Sequence, residues 1–180
     1  KYLYSNQTAA EATYSSQDVT FESTGVDVGS YQSINQNSAN IVSWHWKANG
    51  TGSANTAGSI NSTVSANTTS GFSIVSYTGN GSSGATVGHG LGVTPKMIIV
   101  KRLAGGSTNW GIYHEALGNT ATLFFTTGAK DTDSSYWNNT SPTDTFFTLG
   151  SSTLGNAANT NIAYCFADVQ GFSKMGSYVG

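Results

Sequence analysis

Phe72-Ser73-Ile74-Val75-Ser76-Tyr77 is followed by the loop Thr78-Gly79-Asn80-Gly81-Ser82-Ser83-Gly84 and then, past Val87-Gly88-His89-Gly90-Leu91-Gly92-Val93-Thr94-Pro95, by Lys96-Met97-Ile98-Ile99-Val100. The outer runs are β-branched and aromatic, side chains that fit a pleated, partly buried surface. Gly, Asn and Ser between them let the backbone turn tightly, and Asn80-Gly81 favours positive φ. Pro95 opens the second run where no ladder donor is lost. The stretch reads as one β-meander whose last strand fills a core. The same rhythm continues in both directions, with strands expected near 2–6, 19–23, 41–47, 86–88, 110–114, 121–127, 145–149 and 161–169. Helical periodicity is absent, and turn residues recur about every ten positions, the signature of a sandwich or barrel. The fold expected is all-β: a jelly-roll-like antiparallel β-sandwich with a partial second repeat unit.

The partial unit comes from self-similarity. Thr20-Phe21 with Gly25 returns as Thr145-Phe146 with Gly150; Val42-Ser43-Trp44-His45-Trp46 returns as Ile162-Ala163-Tyr164-Cys165-Phe166. Gly71-Phe72-Ser73 returns as Gly171-Phe172-Ser173, and Ser76-Tyr77-Thr78-Gly79 as Ser177-Tyr178-Val179-Gly180. The organisation implied is a partial repeat unit over 1–47, a linker over 48–70, a complete sandwich repeat over 71–170 and the start of a further unit over 171–180. The linker is assigned by composition: 48–70 is nearly all Ala, Asn, Gly, Ser and Thr, with Ile60 and Val64 its larger apolar residues and at most a short edge strand around them. A start inside a unit suits either a processed product or a segment of a longer protein.

Alternation along a strand puts Val42, Trp44 and Trp46 on one face, and likewise Ile162, Tyr164 and Phe166. Both triplets are expected in the core. The opposite face carries Ser43, His45 and Lys47 in the first copy but Ala163, Cys165 and Ala167 in the second. The second strand is therefore expected to be central and covered on both faces, and the first to show one face to water.

Composition narrows the function classes. The chain has 180 residues with 9% charged, 22 glycines and a net charge of −2, against about 25% charged in an average soluble domain. Seven Lys plus Arg cannot make a strong basic stripe, which argues against nucleic acid as a partner. Low charge also removes the repulsion that keeps subunits apart, which suits a protein built into an assembly. No apolar run approaches the ~20 residues that cross a bilayer as a helix, so no membrane insertion is expected. The single cysteine, Cys165, has no intrachain partner and reads as a buried thiol.

The residues from Gly71 to Gly81, then His89 to Arg102, Trp110, Tyr113-His114, Trp137-Asn138-Asn139-Thr140, Ala163-Tyr164-Cys165-Phe166 and Gly171-Phe172-Ser173-Lys174 together resemble a repeat domain of tailed-bacteriophage virion proteins, of the marine and cyanophage type. Such domains occur in tail-fibre-like proteins. The resemblance covers most of 71–180, and the first fifty or so residues look like the back half of a preceding copy. It implies a virion structural protein and little chemistry.

The residues themselves offer no catalytic constellation. His45, His89 and His114 are scattered without metal-ligand spacing. Asp131 and Asp133 are the closest carboxylate pairing, and a solvated loop explains them better than a glycosidase pair. The glycine run at 79–84 lacks the following helix and the lysine of a phosphate-binding loop. No enzyme, cofactor or metal site is expected. The one binding candidate is a carbohydrate surface built from Trp110, Tyr136, Trp137 and Asn138, rings for stacking on pyranose faces and amide for hydroxyls; the alternative is that Trp137 plugs the end of the sandwich.

The leading expectation is thus a non-enzymatic virion component, a tail fibre, head fibre or capsid decoration, located on the virion outside the cell. Its partners would be other copies of itself or other virion proteins, with a cell-surface glycan as a further candidate in host adhesion. A carbohydrate-binding module and a subunit of an extracellular filament are the alternatives. In the latter, one subunit completes the partial unit of the next.

Overall fold

The computed structural model describes residues 1–13, 19–30 and 32–178. The chain forms two compact units, one of Lys1–Leu3 with Glu11–Trp46 and the other of Tyr4–Ala10 with Lys47–Gly180.

The smaller unit has little regular structure. β1 (Thr20–Phe21) and β2 (Val26–Asp27) form a short antiparallel hairpin, closed by the Glu22 amide donating to the Gly25 carbonyl at 2.9 Å. α1 is a single turn, Gln32–Asn35. Tyr2 and Ala12 form an isolated antiparallel bridge, so the strand expected over 2–6 is reduced to one pairing.

The larger unit is an antiparallel β-sandwich. Its strands in chain order are β3 (Ser53–Asn55), β4 (Ser62–Asn67), β5 (Phe72–Thr78), β6 (Ala85–Gly88), β7 (Met97–Arg102), β8 (Gly111–His114), β9 (Ala121–Phe124), β10 (Asp131–Thr132), β11 (Phe146–Leu149) and β12 (Thr160–Phe166). Two single-turn helices interrupt them, α2 (Ser134–Trp137) and α3 (Thr153–Asn156). Eight strands make one sheet in the order β10-β9-β8-β7-β12-β5-β4-β3, and β11 pairs with β6 in a second sheet of two. β12 lies at the centre, with Ala163 opposite Val75 of β5 on one side and Val100 of β7 on the other.

The core lies on one face of the large sheet. Val75, Ile98, Val100, Ala163 and Cys165 from that sheet are fully buried together with Val87 and Phe147 from the small one. Each larger aliphatic or aromatic side chain here contributes about 1.5–3 kcal/mol by leaving water. Tyr77 joins them edge-on to Phe147, ring centroids 6.1 Å apart, and its hydroxyl donates to the Gly155 carbonyl at 2.8 Å.

Several expectations are corrected. Residues 72–101 do not form a meander: β6 leaves the large sheet to pair with β11, and β7 returns with β12 between it and β5. The segment 48–70 is not a linker, because β3 and β4 extend the sheet beyond β5 and bury Ile60 and Val64 in the core. Small side chains suit this position. Ser62 and Ser65 are buried, and Ser62 Oγ donates to the Gly88 carbonyl at 3.2 Å. The folded sandwich therefore begins well before residue 71.

The faces of β12 are also inverted relative to expectation. It is central, and Ala163, Cys165 and Ala167 point into the sandwich. Ile162 and Tyr164 lie half-buried on the opposite face, where Phe166 packs against Phe72 at 5.0 Å and Tyr164 stacks on Trp110 at 6.4 Å. Residues 41–47 form no strand, and Val42, Trp44 and Trp46 are 71%, 74% and 57% exposed rather than core. The sequence match between 42–46 and 162–166 is therefore not matched by equivalent positions in two sheets of this chain.

Candidate functional site

The four residues of the sugar-binding expectation do not converge. Trp110 and Tyr164 stack on the outer face of the large sheet, whereas Trp137 sits edge-on to Tyr113 in the core at 5.7 Å. Tyr113 pairs with Ile98, a core-facing position, so the two tryptophans lie on opposite sides of the sheet. Both are buried, Trp110 to 7% and Trp137 to 3% exposure, which leaves neither ring face open for stacking.

The remaining two members have structural roles. α2 starts at Asp133, whose carboxylate accepts the Ser135 amide at 2.7 Å, and ends at Asn138 in the left-handed region at φ 53°. Asn tolerates that conformation, and Asn139 continues it at φ 49°. Asn138 Oδ1 accepts the Ser83 hydroxyl at 2.7 Å, tying α2 to the loop after β5. Tyr136 donates to Asp131 Oδ2 at 2.7 Å, and burial together with that acidic neighbour pushes its phenol up to about 12. Asp131 and Asp133 are thus a tyrosine partner and a helix cap.

The histidines are similarly occupied. His114 Nδ1 accepts the Ala116 amide at 3.1 Å, and His45 Nε2 meets Ser43 Oγ at 2.9 Å with Phe21 edge-on to its ring. Burial pushes the Cys165 thiol up to about 12, far from a reactive thiolate. Among the described residues no group of three or more His, Cys, Asp or Glu could hold a metal ion, and no helix is long and apolar enough to cross a membrane.

His89 gives a pH prediction. It is fully buried, its Nε2 facing the Thr143 carbonyl at 3.2 Å while its Nδ1 accepts the Leu91 amide at 3.2 Å. Both contacts fit one neutral tautomer, protonated on Nε2. Burial holds the ring below its ordinary value of 6.5, against opposing pulls from the Thr143 carbonyl and Asp144. The unfolded chain then takes up its proton at a higher pH than the folded chain, so stability is full above that ordinary value and falls as pH drops through it. Urea midpoints should decline on acidification from pH ~7.5 to ~5, His89 contributing at most about 1.4 kcal/mol per pH unit. His89→Gln should flatten the decline; an identical slope would show that another group drives it.

What the molecule does offer outward is apolar surface. In the smaller unit Phe21 and Trp44 are each 74% exposed, beside Val42 and Trp46. Phe21 lies against His45, at 6.2 Å between ring centroids, so the hairpin and the 41–46 segment form one patch. In the larger unit Phe172 is 70% and Tyr178 94% exposed, both in the tail that follows β12. Sequence periodicity places Trp44 and Trp46 inside and Ser43, His45 and Lys47 toward water; in the folded chain the two indoles are exposed as well.

The larger unit is thus an antiparallel β-sandwich, and the exposed large hydrophobic side chains of the chain include the aromatic Phe21, Trp44, Trp46, Phe125, Phe172 and Tyr178. The chain belongs to the family described as a domain of unknown function (DUF7483), whose model matches residues 1–180. No curated protein and no solved structure matches it.

Proposed function

We propose that this protein is a non-enzymatic structural component of a bacteriophage virion, a fibre or capsid-decoration element that works by assembling with other protein surfaces. The observation that carries the assembly reading is the pair of exposed aromatic segments, around Trp44 and around Phe172, on a chain with little charge to oppose association. The phage assignment rests on the resemblance of 71–180 to virion repeat domains. Adhesion to a host glycan loses its support at the proposed site, since Trp110 and Trp137 are buried on opposite faces of the sheet and only Tyr136 is partly exposed.

The test is mass spectrometry of gradient-purified particles of the phage that encodes the chain. Peptides from it should co-purify with the capsid or tail at a fixed ratio to the major capsid protein. A chain found only in the soluble lysate would overturn the proposal.

A further inference from the structure

We propose that Asn49-Gly50 is a site of spontaneous self-modification, at which the exposed amide converts to aspartate and isoaspartate, while the fold protects the same dipeptide at Asn80-Gly81. The chemistry needs no partner protein.

Asn-Gly occurs twice in the sequence, at 49–50 and at 80–81. An asparagine followed by glycine is set up for internal attack. The next backbone nitrogen lies within reach of the side-chain carbonyl carbon, and glycine places no Cβ beside it. At the first pair the Gly50 nitrogen bonds to Asn49 Cγ and gives up its proton. The Cγ–Nδ2 bond breaks and ammonia leaves. Water, the one co-reactant, then opens the cyclic imide at either carbonyl. One opening gives aspartate in an ordinary main chain. The other gives isoaspartate, with the main chain running through Cβ.

The reaction requires a glycine amide without an acceptor and an asparagine side chain able to swing. At 80–81 neither condition holds. The Gly81 amide donates to the Asn156 carbonyl at 2.7 Å and lies 3.2 Å from Asn156 Oδ1, and Asn80 Oδ1 accepts the Ser82 amide at 2.9 Å. At 49–50 both hold. Asn49 and Gly50 are exposed, and among the described residues nothing bonds the Asn49 side chain or accepts the Gly50 amide. A Cβ built on Gly50 would meet nothing within 4 Å. Gly50 sits at φ 70°, a region that glycine enters without strain. The backbone on either side is held: the Asn49 amide donates to Ser65 Oγ at 3.0 Å, Ser65 Oγ donates to the Gly50 carbonyl at 2.8 Å, and Asn67 Nδ2 donates to the Lys47 carbonyl at 3.1 Å. The segment is thus fixed beside β4 while the reacting N–H and the Asn49 amide stay unengaged.

Conversion has two structural consequences. It adds one negative charge to the net −2, giving −3. The isoaspartate product also inserts a main-chain atom between the two groups that Ser65 bonds. The Asn49 amide and the Gly50 carbonyl then no longer fit the one buried hydroxyl, and 49–50 comes away from β4. The sandwich carries a mark of its age on this side.

Peptide mapping by mass spectrometry tests this on the full chain, folded and aged in mildly alkaline buffer, with fragmentation that separates aspartate from isoaspartate. Both products should accumulate at 49. Asn49 should convert at least about tenfold faster than Asn80, since freeing the Gly81 amide and the Asn80 side chain breaks bonds worth at least that factor. In urea the two sites should convert at similar rates. Isoelectric focusing should show an acidic band that grows with age and fades in Asn49→Gln, whose longer side chain closes the ring far more slowly. That variant lies at an exposed, unbonded side chain and should keep the wild-type melting temperature. Hydrogen exchange of 47–52 should be faster in the aged chain. Conversion at Asn80 that keeps pace with Asn49 in the folded chain overturns the inference. So does an Asn49 that stays an amide when folded yet converts in urea, or an acidic band undiminished in Asn49→Gln.

Discussion

Replacing Asn156 by leucine should cost about 4 kcal/mol of stability and lower the melting temperature by on the order of 10 °C. The side chain is 1% exposed, and all its hydrogen-bonding capacity is spent on backbone. Oδ1 accepts the Asn80 amide at 3.0 Å and the Gly81 amide at 3.2 Å, while Nδ2 donates to the Ser82 carbonyl at 2.9 Å and the Gly150 carbonyl at 2.7 Å. These bonds hold the loop that carries the chain from β5 in the large sheet to β6 in the small one. The Gly84 amide on the Leu149 carbonyl at 2.9 Å and the Ser83 hydroxyl on Asn138 hold its far end, so Asn156 fixes its first half. Gly79 approaches so closely that a Cβ there would lie 2.3 Å from the Ala157 carbonyl oxygen. Leucine fills the volume but replaces none of the side-chain bonds; the Gly81 amide keeps the Asn156 backbone carbonyl at 2.7 Å, while the Asn80 amide and the Gly150 carbonyl lose their side-chain partner, at about 1–3 kcal/mol for each group left buried and unmet.

Asn156→Asp separates volume from hydrogen bonding. Aspartate keeps the shape and both acceptor bonds from Asn80 and Gly81. It turns the donor into an oxygen facing the Ser82 and Gly150 carbonyls, so the carboxylate meets two like-signed dipoles while losing its hydration. The variant should be at least as unstable as the leucine one at pH 7. It should recover on acidification, because a protonated carboxyl can again donate one bond and its folded value lies above its unfolded one. Urea melts at pH 7 and pH 5 would show both effects. A loss under about 1 kcal/mol for both variants at pH 7 would mean that the loop is fixed by something other than Asn156.

Strands whose own side chains demand burial were readable from sequence. β5, β7 and β12 carry Phe, Ile, Val and Tyr in runs bounded by turn residues, and they lie side by side in the middle of the large sheet. β3 and β4 are only faintly legible, because Ser, Ala and Asn carry no strong strand preference; the sequence points at most to a short edge strand around Ile60 and Val64, which overlaps β4. Their conformation is dictated by the free edge of β5, which pairs Val75 with Val64 and Ile74 with Ser65. Side-chain size misled the reading of β12. Large rings were assigned to the core, but facing Phe147 and Leu149 across the sandwich there is room only for Ala163, Cys165 and Ala167, a large-against-small fit. The aromatic side of β12 is instead accommodated on the outer face, beside Trp110 and Phe72. Trp110 and Trp137 looked like one site because both sit in polar stretches, and only the sheet's two faces separate them.

The outer face carries the second large effect. Lys101→Ala should cost about 3 kcal/mol and release the segment 4–10, whereas Lys101→Met should release the same segment at a global cost within about 1 kcal/mol. Lys101 lies opposite Ile162 on the outer face of β7 and β12 and is fully buried. Its Nζ donates to the Thr8 carbonyl at 2.8 Å and the Thr108 carbonyl at 2.5 Å, and it stands 5.8 Å from the centre of the Trp110 ring. Trp110 Nε1 donates to the Tyr4 carbonyl at 2.9 Å, and the Thr108 amide to the Thr8 carbonyl at 2.9 Å. Together these fasten 4–10 across β7 and β8. Burial, with the Arg102 charge beside it, holds the ammonium below its ordinary value, so the charged head sits there at a desolvation cost. Two charge-assisted bonds return about 1.5–3 kcal/mol each and the indole face up to about 2, against a penalty of several kcal/mol for the ion. These terms nearly cancel, and what survives is the burial of the methylene stem, about 0.8 kcal/mol per CH₂. Methionine keeps the stem and alanine does not, which sets the two variants apart in global stability while both lose the tether. Hydrogen exchange read by mass spectrometry should show 4–10 exchanging faster in both, with β5 and β12 slowed as in the wild type only for methionine. If 4–10 exchanged at the wild-type rate in both variants, the tether would have to be Trp110 and Thr108 alone, with Lys101 an incidental neighbour.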